Sequence, residues 1–179
     1  MKKIFLFLFA GGFFAFTACN NSVKVAGISN KDSIDKAQAS AYSKAMQNKQ
    51  LAMAAMEAFN KHDVNAGFKD CAADFLEYGD GSSKPMTLEP VKKFWNEVLV
   101  AFPDYKIDNI RYVAEGDWVV VWADCSGTWK GNFIKQKPNG KSFKIPDVDI
   151  FRFNGEGKIV EHHNIQSFDN IWRKVGIKM

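Results

Sequence analysis

The spacing of apolar residues along this chain changes from a helical period near 3.6 to a strand period of 2 about midway. An unbroken apolar or small run fills Ile4 to Phe16. Residues 20 to about 38 are polar without apolar periodicity, which reads as a flexible tether. From about Ala39 to His62 the pattern is helical, with Ala52, Ala55, Met56 and Phe59 at i, i+3, i+4 and i+7. Asp63 is placed to cap a short second helix that turns Val64, Phe68 and Cys71 inward. Asp74 to Tyr78 reads as a short strand and Gly79 to Ser83 as a loop. A third helix follows, with Thr87 as its cap and Pro90 in its first turn, where no amide partner is lost. Its stripe of Val91, Phe94, Trp95, Val98, Leu99 and Phe102 is wide enough to lie on a sheet, and Pro103 ends it.

Beyond Pro103 the pattern is β: Tyr105 to Ala114, Trp118 to Trp129, about Lys141 to Phe153, and Ile159 to Ser167, with Asp169 to Val175 as a terminal helical turn. Helices first and a meander after is an α+β order, with helices on one face of an antiparallel sheet. No internal repeat is visible, and the span from residue 39 to residue 179 reads as one domain.

Candidate chemistry gathers in the last two strands. Asn154-Gly155-Glu156-Gly157 supplies a tight turn. Closing the hairpin there sets Phe153 opposite Lys158, Phe151 opposite Val160, Asp149 opposite His162 and Asp147 opposite Asn164. Asp147, Asp149, His162 and Asn164 then share one face with Phe151 and Val160, like the polar end of an apolar pocket. The competing reading is a solvated strand face, and a slip of one residue would bring Glu161 and His163 to that face instead.

The chain's 179 residues carry a formal charge of +4. Lys2 and Lys3, the apolar run and the small residues Thr17-Ala18 before Cys19 read as a signal peptide over residues 1–18. Removing it takes two lysines and leaves a charge near +2, with no basic stripe and no nucleic-acid motif. Cys71 and Cys125 are the other cysteines; buried free thiols are the default and a disulfide the alternative. No spaced Cys/His set, nucleotide loop or flavin motif points to a metal or cofactor.

Two resemblances add to this. Ala18-Cys19 resembles a bacterial lipobox, although Phe16 stands where leucine is commonest. It implies cleavage before Cys19, lipidation of its thiol, and a domain held to an envelope membrane by residues 19–38; an ordinary signal peptide is the alternative. From Thr87 to Val175 the chain resembles the SnoaL-like branch of the NTF2-like superfamily. The residues that carry this are Ala101-Phe102-Pro103-Asp104, Glu115-Gly116-Asp117, GTWKG at 127–131, VDIFRF at 148–153 and Gly157 to His162. The resemblance implies a cone in which a curved antiparallel sheet and three helices wrap an apolar pocket. The acid–base pair of the polyketide-cyclase members is matched here by Asp149 and Asn164. Asn164 cannot take up a proton at neutral pH, so the family's chemistry does not transfer directly.

What can replace it is Asp149 as base, its pKa raised by apolar surroundings and Asp147, with His162 as acid and Asn164 as a second oxyanion donor. That is a proton-transfer enzyme of the isomerase, cyclase or lyase type. The alternative is an envelope protein that binds a small apolar molecule unchanged, with Asp147, Phe151, Trp95 and Trp122, joined by Trp118 and Trp129, lining the cavity. A third reading is an oligomeric adaptor, such as a homodimer, formed through the open sheet face.

Overall fold

A computed structural model describes residues 31–81, 84–166 and 168–178. The expected signal peptide and Cys19 lie outside the described residues. The elements in chain order are α1 (Lys31–Asn60), α2 (Val64–Gly67), β1 (Cys71–Gly79), β2 (Met86–Thr87), α3 (Leu88–Ala101), β3 (Lys106–Glu115), β4 (Trp118–Thr128), β5 (Ser142–Phe153), β6 (Ile159–Asn164) and α4 (Phe168–Val175).

The first helix starts at Lys31 rather than near Ala39, so the segment read as tether is helical over 31–38. Apolar periodicity reports burial, not helicity, and the described side chains of this first stretch are exposed; the first buried position is Ala45. Farther along, Ala52, Ala55, Met56 and Phe59 are buried as the spacing requires. Asn60 fixes the end of α1 to the sheet: its Nδ2 donates to the Ile107 carbonyl (2.9 Å) and its Oδ1 accepts the Ile107 amide (2.8 Å). Asp63 caps α2, its Oδ1 accepting the Ala66 amide at 2.9 Å. Thr87 occupies the cap position of α3 but its side chain makes no capping bond.

Among the described residues the sheet has six strands in the order β2-β1-β6-β5-β4-β3 and is curved and unclosed. It is mixed rather than antiparallel, because β1 lies parallel to β6. That pairing joins strands far apart in sequence, which no local hairpin signal encodes. One face of the sheet is covered by α1, α3 and the C-terminal α4, and Val119, Val121, Ala123, Phe143, Ile145, Phe153 and Ile159 fill the interior between them.

The GTWKG segment sets where α3 ends. The amides of Lys130 and Gly131 both donate to the Ala101 carbonyl, at 2.9 and 3.0 Å. Trp129 is buried and donates from Nε1 to the Gly131 carbonyl at 2.7 Å. A Cβ on Gly131 would stand 2.0 Å from the Val100 carbonyl oxygen, so only glycine permits this approach. Gly131→Ala is therefore expected to cost about 1–3 kcal/mol in urea unfolding. A cost below about 0.5 kcal/mol, the range of a neutral surface change, would mean the backbones are not in contact.

Candidate functional site

Along β5 every second residue turns inward: Phe143, Ile145, Asp147, Asp149, Phe151 and Phe153, all buried. Two carboxylates thus sit within an apolar row, a placement that costs stability unless partners compensate. The compensation comes from β6 and β1. Asn164 Nδ2 donates to Asp147 Oδ2 (2.9 Å) and to Asp149 Oδ1 (3.1 Å). His162 reaches Asp149 Oδ1 with Nε2 (3.2 Å) and Glu77 Oε2 with Nδ1 (2.6 Å). Cys125 Sγ donates to Asp147 Oδ2 at 3.7 Å, and the Val148 amide donates to Asp147 Oδ1 at 2.7 Å.

The hairpin brings these residues together in a register two residues from the simple one. Asp149 pairs with Asn164 and Phe151 with His162, where the four-residue turn predicts His162 and Val160. The loop takes in Lys158, with Asn154 Oδ1 accepting the Glu156 and Lys158 amides, and Gly157 adopts the left-handed conformation (φ 73°). Val160 then forms a bulge, since Phe153 pairs with Ile159 and Arg152 with Glu161. One extra loop residue and one bulge residue make a slip of two, which leaves the faces of His162 and Asn164 unchanged. The bulge does move Ile159 to the inner face in place of Val160. Glu161 and His163 lie on the other face, His163 stacked on Tyr78 at 4.7 Å.

Electrostatically the cluster is unequal. Burial, with the charge of Asp149 beside it, pushes the Asp147 carboxyl up to about 6 against the pull of Asn164. Burial by itself would depress the His162 pKa, but Glu77 and Asp149 outweigh it and hold the ring up to about 10. His162 is therefore an imidazolium at neutral pH, donating from both nitrogens to carboxylates. Burial also pushes the Cys125 thiol and Tyr105 hydroxyl well above their ordinary ranges and the Cys71 thiol up to about 12. Both cysteines are free, so the disulfide alternative does not hold.

Cys71, Glu77, Asp147, Asp149, His162 and Asn164 line an inner cavity of about 40 Å³, with Trp95, Phe59, Phe68, Phe75, Tyr105 and Phe151 as its apolar wall. It adjoins a wider outer cavity of about 340 Å³ that shares Glu77, Trp95, His162, Asn164, Gln166 and Phe168 and adds Phe94 and Trp172. The structure thus brings Asp147, Asp149, Phe151, His162, Asn164 and Trp95 together. Trp122 does not join them. It is 53% exposed on the outer face of β4, beneath the Arg111 guanidinium (5.4 Å), and Trp118 is likewise exposed. With apolar residues on both sides of Trp118-Val119-Val120-Val121-Trp122, alternation alone cannot say which side is inside. Sequence reasoning missed Glu77. Its signal was its place two residues after Phe75, on the same inward face of β1.

A model of SnoaL-like polyketide cyclases matches residues 49–170, more than half of the chain. The chain belongs to the SnoaL-like polyketide cyclase family. Solved structures agree on the fold. AclR of Streptomyces galilaeus, a candidate hydroxylase, is similar with a TM-score of 0.65 at 24% identity, over 75% of this chain and 99% of that one. IdmH of Streptomyces antibioticus, a candidate polyketide cyclase, gives 0.61 at 24% over 73% and 99%. A candidate polyketide cyclase of Xanthomonas campestris pv. campestris gives 0.64 at 18% over 74% and 98%. No curated protein matches the chain. In this SnoaL-like polyketide cyclase family member, Asp149 and Asn164 face each other directly across the β5–β6 ladder.

Proposed function

We propose that this SnoaL-like domain binds a small molecule with an apolar body and removes a proton from the carbon beside its carbonyl. The observation that carries the reading is the Asp147–Asp149 pair, buried in the apolar row of β5 at a cavity wall and bridged by Asn164. A carboxyl held near 6 is matched to proton transfer at neutral pH, since it is mostly ionised there yet basic enough to accept a proton. That carboxyl is Asp147, where the sequence pointed to Asp149; the base is assigned to the pair by position, with Asp149 as the member that touches His162.

The proposed step is balanced within the site. The C–H proton passes to Asp149, and the bonding electrons move onto the carbonyl oxygen as an enolate. Asp149 loses its charge in doing so and releases the Nε2–H of His162, which can then donate to the new oxyanion. Glu77 holds the ring in place through Nδ1 and keeps it cationic. The donor becomes available as the negative charge develops, which is the differential binding that lowers a barrier.

The second reading, a protein that holds its ligand unchanged, is favoured by one observation: both ring nitrogens of His162 and the Asn164 amide are already engaged by carboxylates. Under either reading we propose export and a lipid on Cys19, supported by the sequence of residues 2–19. Mass spectrometry of the purified full chain tests these together. The expected results are a lipid-modified Cys19 and a co-purifying carbonyl compound that gains deuterium beside its carbonyl when held with the protein in D₂O. A ligand recovered without deuterium would leave binding alone, and an unmodified Cys19 would remove the anchor.

A further inference from the structure

Hydrogen-bond donors and acceptors in the cavity wall do not balance. His162 donates from both nitrogens to carboxylates, Asn164 donates from its amide to Asp147 Oδ2 and to the same Asp149 oxygen that His162 reaches, and behind the wall Cys125 donates its S–H to Asp147. On the acceptor side, Asn164 Oδ1 is buried with no hydrogen-bond partner. A buried acceptor left unpaired is costly, and Asn164 lines both cavities.

Charge is unbalanced in the same direction. Glu77, Asp147 and Asp149 line the inner cavity, and Glu77 also lines the outer one. Among the described residues lining either cavity the only base is His162; no lysine or arginine is present. Lys92 and Lys158 act electrostatically on Cys71, but each is paired with a carboxylate of its own, Glu89 and Asp70.

The walls supply the third observation. Trp95 forms a cluster of aromatic faces and edges with Phe59 (4.9 Å), Phe168 (5.5 Å) and Phe94 (6.4 Å), where the two cavities join. Aromatic faces attract a desolvated cation and not an anion. The inner volume of about 40 Å³ admits a group of about the size of a water molecule, and the outer 340 Å³ admits a larger apolar body.

We propose that the ligand of this cavity carries a protonated amine, seated among Asn164 Oδ1, Asp147 and Asp149, with its apolar body between Trp95, Phe94 and Phe168. An ammonium brings the donors that the wall lacks and the positive charge that its carboxylates lack. A neutral hydroxyl brings only the first, and a carboxylate neither. This rests on the reading of the cavity as a small-molecule site, and holds whether or not the ligand is turned over.

The test uses three probes of one shape, 2-phenylethylamine, 2-phenylethanol and 3-phenylpropanoate, titrated calorimetrically into the full chain at pH 7.5. The amine is expected to bind about tenfold or more tightly than the alcohol, and the carboxylate weakest of the three. In Asp149→Asn the preference for amine over alcohol should shrink to within about threefold. Equal binding of amine and alcohol to the native protein overturns the inference and leaves the small-molecule site standing. Binding of none of the three, with the protein folded, overturns both. Preference for the carboxylate would show that the cavity presents positive rather than negative potential, and also overturns it.

Discussion

Replacing His162 by alanine is expected to destabilise the fold by about 3–5 kcal/mol at pH 7, the range for removing one member of a buried ion pair. The ring is the only positive group between Glu77 and Asp149, and its side chain is 13% exposed, so water cannot easily take its place. The pH dependence distinguishes this cause from lost packing against Phe151, whose ring lies 4.6 Å away. His162 has its pKa raised in the folded state, so its stabilisation is complete below the unfolded value of about 6.5 and is lost as the pH climbs towards 10. Asp147 shifts stability in the same direction, over a lower pH window. Its folded pKa is also raised, so the native protein loses stability as the pH rises through about 4 to 6. Without His162 the clustered carboxylates relieve their repulsion at low pH by taking up protons. The difference between native and variant, measured by urea unfolding from pH 4.5 to 10, should therefore peak near pH 6.5 and shrink on both sides. A difference that is flat with pH, or below about 1 kcal/mol, would mean the ring contributes no more than an exposed pair does.

That cluster also marks how far a sequence can be read. The order of elements and the apolar stripes of α1 and α3 follow from spacing because burial imposes a period on local sequence. The shared face of Asp147, Asp149, His162 and Asn164 was legible for a subtler reason. Two compensating irregularities, Lys158 in the loop and the bulge at Val160, displaced the pairing by an even number and left inside and outside unchanged. Had only one of them been present, Glu161 and His163 would face the cavity.

What could not be read was long-range. Glu77 meets His162 because β1 lies parallel to β6, and no turn or hairpin between them announces that contact. The misplaced Trp122 has a different origin. Residues 118–122 are apolar on both faces, and the outer one is covered in part by arginines, Arg111 over Trp122 and Arg152 over Trp118. Hydrophobicity alone then does not distinguish a cavity wall from a surface. The missed parallel contact and the misread face account for the differences between the candidate residues and the cluster found.

Asp149→Asn is expected to lower the rate of ligand deuteration by a factor of about 10²–10⁴, the usual contribution of a general base. The substitution keeps the shape of the side chain and leaves an oxygen that can still accept from His162 Nε2, so the fold should persist. It removes the one function that geometry alone cannot supply, a charge able to accept the proton. It also removes the like charge beside Asp147, whose carboxyl should then fall from about 6 towards the ordinary carboxylate range. Any remaining exchange, now dependent on Asp147, should accordingly have its pH midpoint below 6. Asp147→Asn supplies the converse: Asp149 retains its contacts to His162 and Asn164, and exchange should fall less than in Asp149→Asn. If both variants exchange deuterium at the native rate, the carboxylate pair is not the base. If neither the variants nor the native protein exchange at all while the ligand stays bound, the cavity is a binding site whose charges serve recognition alone.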